Sequence, residues 1–325
     1  MKSSFKLTLL LTYLAGLLGV TECYASHKID YNGYYDPVNS GYINVDSGRL
    51  FYQKFGTGEP MVIVHGGPGL DQNYLLPQML ELAKDHELIF YDQRGSGNSL
   101  EASINSKYVN LDQFSDDLEK LRSQLGLTKF ILLGHSWGGL LSMDYAIKHP
   151  ENVSSLILLN SAPADYKGQK SFMNEFAIRT MLINNKIATL FDYNKFKMLD
   201  ANQINDLYRK LFVIYFKDKN KVKNLTLKMS KGSAVGGFRI MPLMSRTVWL
   251  KPEFDLFPGL RKMKIPTLVV HGNQDVIPAY TAKEISEAIS GSEIAYLNNC
   301  GHFPYIEAPV DLFKSIRSFL DKVKH

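Results

Sequence analysis

Residues 130–141, FILLGHSWGGLL, constrain the fold more than any other stretch, because they join a buried strand to a very tight turn. Four apolar residues come first, and short apolar runs of this kind are typical of fully buried strands. The turn has the pattern G-x-S-x-G, with Gly134, Ser136 and Gly138 at its fixed positions. Glycine suits so sharp a reversal because a side chain there would collide with neighbouring backbone. We therefore predict a strand, an exposed Ser136 on a strained turn, and a helix.

The rest of the chain repeats this alternation of apolar runs and helical patterns. The apolar runs are residues 61–64, 88–91, 130–133, 156–159, 267–270 and, more weakly, 293–297. Strands that alternate with helices indicate a mostly parallel sheet with helices on both faces, which places the chain in the α/β class. Residues 42–56, YINVDSGRLFYQKFG, predict an antiparallel hairpin at the edge of that sheet.

One helix can be placed in some detail. Apolar residues recur at intervals of three and four from Leu111 to Leu125, which gives a single apolar stripe along a helix. Asn110 precedes the stripe and Gln113 follows three residues later. This spacing predicts that the two residues cap the amino terminus of the helix.

The alternation stops between residues 164 and 251, where the sequence becomes rich in aromatic residues, methionine and lysine. This stretch holds 17 Lys and Arg against 6 Asp and Glu, a net charge of +11, whereas the remainder without residues 1–25 has a net charge of −7. We predict a basic, mainly helical cap over residues 164–251, inserted into a core formed by residues 26–163 and 252–325.

The first 25 residues resemble an export signal. Lys2 and Lys6 precede an apolar run at residues 7–20, and residues 21–25, TECYA, follow and end on the small residue Ala25. This order predicts cleavage after Ala25 and export to a periplasm or the medium. The run is shorter than the ~20 residues of a spanning helix, so we expect no stable membrane anchor after cleavage. The remaining chain would hold one cysteine, Cys300, and therefore no internal disulfide.

Three side chains follow strands in an order that suggests nucleophilic catalysis. A nucleophilic serine needs a base to take its proton and a third group to orient that base. Asp275 directly follows the apolar run at 267–270, and His302 follows the run at 293–297. Together with Ser136, they lie just past strand ends, where open α/β sheets place their sites. We predict a Ser136–Asp275–His302 triad.

Three other histidines compete for the role of base. His135 adjoins Ser136 and is expected to point elsewhere on the turn, whereas His65 and His271 precede glycines and are expected to satisfy backbone groups. Cys300 lies two residues before His302, but a thiol and one histidine supply too few ligands for a zinc site. We therefore interpret Cys300 as a buried, inert thiol and predict no metal site.

Two loops complete the predicted site. The oxyanion formed during acyl transfer needs preset N–H donors, and we assign them to the amides of Trp137 and Gly67. Gly67 lies in VHGGPG, residues 64–69, after the first long apolar strand. In the loop at residues 92–99, Asp92 and Arg94 are predicted to form an internal ion pair that holds a tight turn.

With these residues in place, the chain resembles the α/β-hydrolase superfamily, and within it the prolyl aminopeptidase (proline iminopeptidase) group. The motifs that carry the resemblance are HGGPG at 65–69, DQRGSGNS at 92–99, GHSWGG at 134–139, GNQD at 272–275 and GHFPYIEAP at 301–309. The resemblance implies an α/β-hydrolase fold and the release of an N-terminal residue, often proline, from short peptides or arylamides without a cofactor. Where that group commonly has GGSWG, this chain has GHSWG.

The cap departs from this family pattern. Prolyl aminopeptidases hold the substrate's ammonium with acidic cap residues, but Glu175 is the only glutamate between residues 164 and 251. We assign Glu175 as the candidate substrate-binding carboxylate. The lysines of the cap either face the pocket and favour anionic substrates, or lie on its outer surface.

Two rival functions stay open at this point. One is a carboxylesterase or lactonase that uses the same triad on small apolar or anionic esters. The other is a non-catalytic binding protein on a hydrolase scaffold, against which the complete triad argues. Apart from its charge, the chain has no motif for nucleic-acid recognition, so we expect a small-molecule or short-peptide substrate. The sequence leaves the oligomeric state open.

Overall fold

The computed structural model describes residues 36–181 and 183–323, so the predicted signal segment lies outside the described residues. Eight strands form one sheet in the order β1-β2-β4-β3-β5-β6-β7-β8. They are β1 Asn39–Val45, β2 Gly48–Phe55, β3 Glu59–Val64, β4 His86–Tyr91, β5 Phe130–His135, β6 Val153–Leu159, β7 Thr267–Gly272 and β8 Glu293–Leu297. Each of the six predicted apolar runs lies within one of these strands.

The sheet is antiparallel at one edge and parallel elsewhere. β1 pairs with β2 and β2 pairs with β4 in antiparallel fashion, with Val45 opposite Gly48 at the tip of the first hairpin. From β4 through β3, β5, β6 and β7 to β8, every neighbouring pair is parallel. The predicted edge hairpin and the mostly parallel sheet are therefore confirmed.

Eleven helices are described, and five of them are the first α-helix after a strand. They are α1 Leu111–Gln124, α2 Trp137–Lys148, α3 Tyr166–Met181, α4 Asn184–Ile187, α5 Tyr193–Phe196, α6 Ala201–Phe212, α7 Lys231–Met244, α8 Phe257–Leu260, α9 Ala279–Ala288, α10 Pro304–Glu307 and α11 Pro309–Val323. Shorter helical turns include the 3₁₀ segments Gln72–Tyr74, Gln78–Lys84, Ala188–Phe191 and Val213–Tyr215 and the π-helical turn Ser245–Trp249.

The predicted helix is α1, and its cap forms in part. The Asn110 side chain accepts a hydrogen bond from the Gln113 amide at 2.9 Å, as predicted. The Gln113 side chain does not return this bond to the backbone, because its amide donates to Asp117 at 3.3 Å one turn later.

The core lies on both faces of the central strands. All residues of β5 and β7 are buried. Ten of the twelve residues of α2 are also buried, which seats this helix against the sheet. Burial on both faces explains why these strands read as continuous apolar runs rather than as an alternating pattern.

A long insertion between β6 and β7 contains α3 to α7. Its two ends meet, because the Tyr166 amide donates to Phe254 O at 2.9 Å and the Leu256 amide donates to Ala164 O at 2.8 Å. The segment predicted as a cap, residues 164–251, lies within this insertion. Across residues 36–181 and 183–323, no helix has both the length and the apolar character needed to cross a membrane.

The predicted ion pair between Asp92 and Arg94 is wrong. Arg94 instead reaches α1, where its Nη2 and Nε donate to the Asp117 carboxylate at 2.7 and 3.0 Å. The Asp92 carboxylate accepts the backbone amides of Gln72 at 3.0 Å and Asn98 at 2.8 Å. The long guanidinium side chain spans to a neighbouring helix, whereas the short aspartate can reach only the amides of its own turn and the adjacent loop.

Replacing Arg94 by methionine should lower the free energy of unfolding by ~3–5 kcal/mol, because Asp117 would remain buried without its partner. Both side chains are almost fully buried, at 0 and 3% exposed. The double variant Arg94→Met, Asp117→Leu should recover much of this loss, since no charge is then left in the core. Equilibrium unfolding in urea measures all three proteins.

The matched control is Arg49→Met, which breaks the solvent-exposed ion pair with Glu101. Exposed pairs contribute little to stability, so this variant should unfold close to the unmodified protein. Equal losses for Arg94→Met and Arg49→Met would contradict the structural role of the buried pair.

Candidate active site

Ser136 occupies the predicted turn between β5 and α2. Its backbone has φ 59° and ψ −122°, a conformation that few residues other than glycine adopt. The Ser136 amide donates to Leu159 O at 3.0 Å, and its carbonyl accepts the Ala162 amide at 2.9 Å. These bonds to the end of β6 hold the strained turn in place, with the Ser136 side chain partly exposed.

The glycines of the turn are required by close packing of backbone against backbone. A Cβ atom on Gly138 would overlap the carbonyl oxygen of Val64, and one on Gly134 would overlap the carbonyl oxygen of Gly138. The start of α2 is therefore pressed directly onto the ends of β3 and β5, which fixes the position of Ser136 relative to both strands.

His302 and Asp275 lie together as predicted. The His302 Nδ1 is 2.9 Å from Asp275 Oδ2 and 3.0 Å from Oδ1. Asp275 Oδ2 also accepts a bond of 2.7 Å from the Asn160 side chain. Burial opposes the ionisation of Asp275, but the charge and hydrogen bond of His302 and the bond from Asn160 outweigh it and lower its pKa to about 2. Asp275 is therefore a carboxylate at neutral pH.

Ser136 and His302 line one small cavity of about 50 Å³. Because Nδ1 of His302 donates to Asp275, Nε2 is left as the acceptor for a proton. The described contacts include no hydrogen bond between Ser136 and His302, and bonds of this kind often tighten only when substrate binds. The structure thus places Ser136 and His302 on one cavity and pairs His302 with the buried Asp275.

The predicted oxyanion donors lie beside Ser136. Gly67, with φ +123°, and Trp137 line a cavity of about 200 Å³ together with Ser136. Trp137 is the first residue of α2, and the first amides of a helix have no partner within it. The neighbouring amide of Gly66 is already used, since it donates to the Tyr74 hydroxyl at 2.6 Å. No hydrogen bond is described for the amides of Gly67 and Trp137, so both stay candidate donors to an oxyanion.

Sequence reasoning missed a buried connection from the Gly66 loop to His302. The Tyr74 hydroxyl lies 2.7 Å from His135 Nδ1, and His135 Nε2 lies 2.8 Å from the carbonyl oxygen of His302. The carbonyl can only accept, so Nε2 carries the proton and Tyr74 donates to Nδ1. Burial, and next the charge of His302, lower the pKa of His135 to about 3. His135 is therefore a neutral link and not a second base.

The other two histidines serve backbone groups, as predicted. His65 Nδ1 lies 2.8 Å from Gly66 O, and its Nε2 accepts the Gln93 amide at 3.0 Å. His271 Nε2 lies 3.0 Å from Ile277 O. Gln93 also joins the predicted oxyanion loop to the turn, because its side chain donates to His65 O at 2.6 Å and accepts from the Trp137 indole at 2.9 Å.

Cys300 is fully buried, and burial raises the pKa of its thiol, which agrees with an inert role. In the described part of the chain, no group of three or more His, Cys, Asp or Glu side chains is placed to hold a metal ion.

Glu175 is not among the residues that line the cavities at Ser136. Its carboxylate forms an ion pair of 2.7 Å with Arg179, one turn along α3. Arg179 in turn donates to the carbonyl oxygens of Asp275 at 2.8 Å and Ile214 at 3.1 Å. Glu175 therefore supports an arginine that ties the cap to the Asp275 loop, and it does not line the pocket that was predicted to hold a substrate amine.

Two larger cavities continue from the small one. Gly67 and Tyr215 line all three, and the largest has a volume of about 420 Å³. The lining of the largest cavity is apolar or aromatic, and includes Leu190, Phe191, Tyr208, Leu211, Phe238 and Met241. Among the described residues that line these three cavities, none is Asp, Glu, Lys or Arg. The basic charge of the cap therefore lies outside the pocket.

Comparison with known proteins places this site in a family. The chain belongs to the alpha/beta hydrolase fold family, whose model matches residues 59–309. It is therefore a serine hydrolase enzyme of this fold, and it resembles the proline iminopeptidases, which confirms the resemblance drawn from its motifs.

Individual relatives agree with this assignment. The chain is 28% identical over 305 residues to a proline iminopeptidase of Saccharolobus solfataricus, covering 91% of this chain and 96% of the relative. It is 30% identical over 278 residues to the proline iminopeptidase of Lactobacillus acidophilus, covering 81% and 90%. The esterase RhEst1 from Rhodococcus sp. has the same fold, with a TM-score of 0.65, 22% identity, and coverage of 88% of this chain and 98% of the esterase.

Replacing Tyr74 by phenylalanine should lower kcat about tenfold and leave KM nearly unchanged. The variant removes the partner of the Gly66 amide and of His135, and an unpaired buried polar group costs ~1–3 kcal/mol. The loss should appear in kcat because the loop and His302 then hold the reacting groups less accurately. Initial rates on a nitrophenyl acetate measure both constants.

Tyr305→Phe is the matched control, since Tyr305 is also buried near His135 but its hydroxyl has no hydrogen-bond partner among the described residues. This control should keep the unmodified rate. If Tyr74→Phe is as active as Tyr305→Phe, the hydroxyl of Tyr74 does not position the site.

Proposed function

We propose that this enzyme hydrolyses its substrate through an acyl-enzyme on Ser136. The observation that carries the proposal is the pairing of His302 with the buried Asp275 carboxylate at the cavity that also exposes Ser136. A base held by a carboxylate beside a serine on a strained turn is the arrangement that serine hydrolases share on unrelated folds.

Each residue has one task in this mechanism. His302 Nε2 takes the proton from Ser136 as the hydroxyl attacks the carbonyl carbon, and then gives it to the leaving group. Asp275 keeps the imidazole oriented and stabilises its positive charge. The amides of Gly67 and Trp137 stabilise the oxyanion. Water, activated in the same way by His302, then releases the acyl group. These steps draw on no cofactor.

The relatives' names favour an N-terminal proline as the acyl group. Such a substrate carries an ammonium next to the scissile carbonyl, and a charge taken out of water needs a partner. The cavities at Ser136 would accept the apolar ring of proline. Their described lining, however, offers no carboxylate to the ammonium, and Glu175 is occupied by Arg179.

The geometry therefore supports an apolar, uncharged acyl group better than a charged one. An ester with a hydrocarbon acyl chain needs only apolar walls, and the cavity of about 420 Å³ beyond Tyr215 provides them. We propose ester hydrolysis as the main activity, with release of N-terminal proline as the second candidate. From the signal-like residues 1–25, we also propose that the enzyme acts after export.

Replacing Ser136 or His302 by alanine should lower kcat by about 10⁴- to 10⁶-fold, as in other serine triads, and Asp275→Asn should cost less. Labelling by a fluorophosphonate should modify the unmodified protein and fail on Ser136→Ala. Circular dichroism checks that each variant is folded. A folded Ser136→Ala that keeps more than about a tenth of the activity would contradict the assignment.

The acyl specificity can be measured with nitrophenyl esters of increasing chain length beside proline arylamide. If the chain enters the apolar cavity, kcat/KM should rise about fourfold with each added methylene until the cavity is filled. Proline arylamide should be a poor substrate. Glu175→Gln should change neither rate much, because this carboxylate lies outside the pocket.

The opposite result would reverse the order of the two candidates. Proline arylamide turned over faster than every ester, with a selective loss in Glu175→Gln, would establish the aminopeptidase and require Glu175 to reach the substrate. If both substrate classes are hydrolysed and both activities are lost in Ser136→Ala, the triad assignment is supported. The ratio of the two kcat/KM values then shows which acyl group the enzyme prefers.

A further inference from the structure

Exposed apolar side chains gather around the opening of the cap cavities. We define the cap rim as Met173, Phe191, Tyr193 and Met241, which are 47, 62, 40 and 42% exposed. Phe191 and Met241 line the largest cavity, and Met173 and Met241 line the intermediate one. Grouped apolar side chains on a surface mark a site of contact with a protein, a ligand or a membrane.

Tyr193 belongs to the same surface. Its ring centroid is 5.3 Å from that of Phe238, and Phe238 lines the largest cavity from the inside. The cap rim therefore continues inward as the apolar wall of the cavity. A molecule that contacts the rim with hydrocarbon can extend the same hydrocarbon toward Ser136.

Exposed lysines lie in the short helical segments on either side of Phe191 and Tyr193. Lys186 is in α4, Lys195 is in α5, and Lys197 follows directly. The Lys197 Nζ lies 5.4 Å from the centre of the Tyr193 ring. Asp192 is the single acidic residue between positions 183 and 199, and its carboxylate is 3.4 Å from Lys195. The rim is thus apolar and its border is positively charged.

We propose that the cap rim docks reversibly on an anionic lipid surface. The aromatic and methionine side chains enter the interface, while the lysines stay at the level of the lipid phosphates with their apolar stems against the rim. A lipid surface fits both halves of this patch, because it offers negative charge at its face and hydrocarbon beneath. An acidic protein would satisfy the lysines alone and would supply nothing to the open apolar cavity.

The docking goes beyond the proposed hydrolysis, since it needs the rim and the lysines but not Ser136. Each lysine near an anionic membrane contributes about a fivefold gain in binding, and loss of one inserted aromatic side chain costs about tenfold. Three lysines and two aromatic residues are enough for measurable binding without a membrane-spanning segment. The interaction should weaken with added salt, because the lipid charges are exposed to solvent.

Sedimentation with lipid vesicles tests the proposal. The full chain and its inactive variant Ser136→Ala are mixed with vesicles of phosphatidylcholine, with and without phosphatidylglycerol. Both proteins should bind the anionic vesicles and bind the neutral ones far less. All proteins compared keep the same amino terminus, so residues 7–20 contribute equally to each. Because Ser136→Ala is included, the outcome does not depend on whether the triad assignment is correct.

Two variants locate the binding surface. Lys186→Ser, Lys195→Ser and Lys197→Ser combined should weaken binding about a hundredfold, from three fivefold contributions. Phe191→Ser with Tyr193→Ser should weaken it at least tenfold. The control for charge combines Lys129→Ser, Lys262→Ser and Lys264→Ser, exposed lysines that precede the amino-terminal ends of β5 and β7, whereas the site lies past the carboxyl ends of the strands. The control for apolar area is Val310→Ser, which is 76% exposed.

Controls that bind like the unmodified protein, together with losses in both rim variants, would support the proposal. It is overturned if the unmodified chain fails to bind anionic vesicles, or if the control lysines matter as much as those of the rim. The rim could instead mediate the association of two copies of the chain. Light scattering would then show a larger species that Phe191→Ser with Tyr193→Ser abolishes, and this result would also overturn the proposal.

Discussion

The site depends on one constraint: the backbone of α2 packs directly against the ends of β3 and β5. No side chain fits at Gly134 or Gly138, because the backbone of α2 lies against the carbonyl oxygen of Val64 and against β5 itself. This close approach forces Ser136 into a backbone conformation with positive φ. It also sets the amide and carbonyl of Ser136 against the end of β6, so Ser136 is fixed by three strands at once. Strain of this kind persists only where the surrounding structure determines it.

Around that turn, hydrogen bonds of buried polar side chains connect one loop to the next and fix the loops relative to one another. Asn160 and Asp275 orient His302 from the ends of β6 and β7. His135 and Tyr74 connect the His302 backbone to the loop that presents Gly67. Gln93 joins the same loop to Trp137. In a low-dielectric interior such bonds are strong when complete and costly when broken, which makes the loops behave as one unit.

In the proposed mechanism, the predicted cap would determine what the predicted triad does not, namely which acyl group fits the site. Its strong positive charge left a pocket for anions as one of two alternatives, but none of the described residues that line the three cavities is Asp, Glu, Lys or Arg. The charge lies outside, next to exposed aromatic and methionine residues. The side chains that line the largest cavity come mostly from residues 176–242, so this segment sets the shape that an acyl group meets near Ser136. This is why the fold and reaction class follow from the comparisons while the acyl group is argued from the walls of the pocket.

The sequence by itself determined the strands, the turn at Ser136 and the order of the three predicted triad residues, because local patterns encode each of them: apolar runs for strands, fixed glycines for the turn, and polar residues just past strand ends. Only the tertiary structure decided contacts between distant segments. Arg94 forms its ion pair with Asp117 rather than with Asp92, Tyr74 hydrogen-bonds to His135, and Arg179, which pairs with Glu175 on its own helix, donates to the carbonyl oxygen of Asp275. These contacts form only where folding brings side chains within hydrogen-bond distance. The sequence around each residue does not indicate which distant residue that will be.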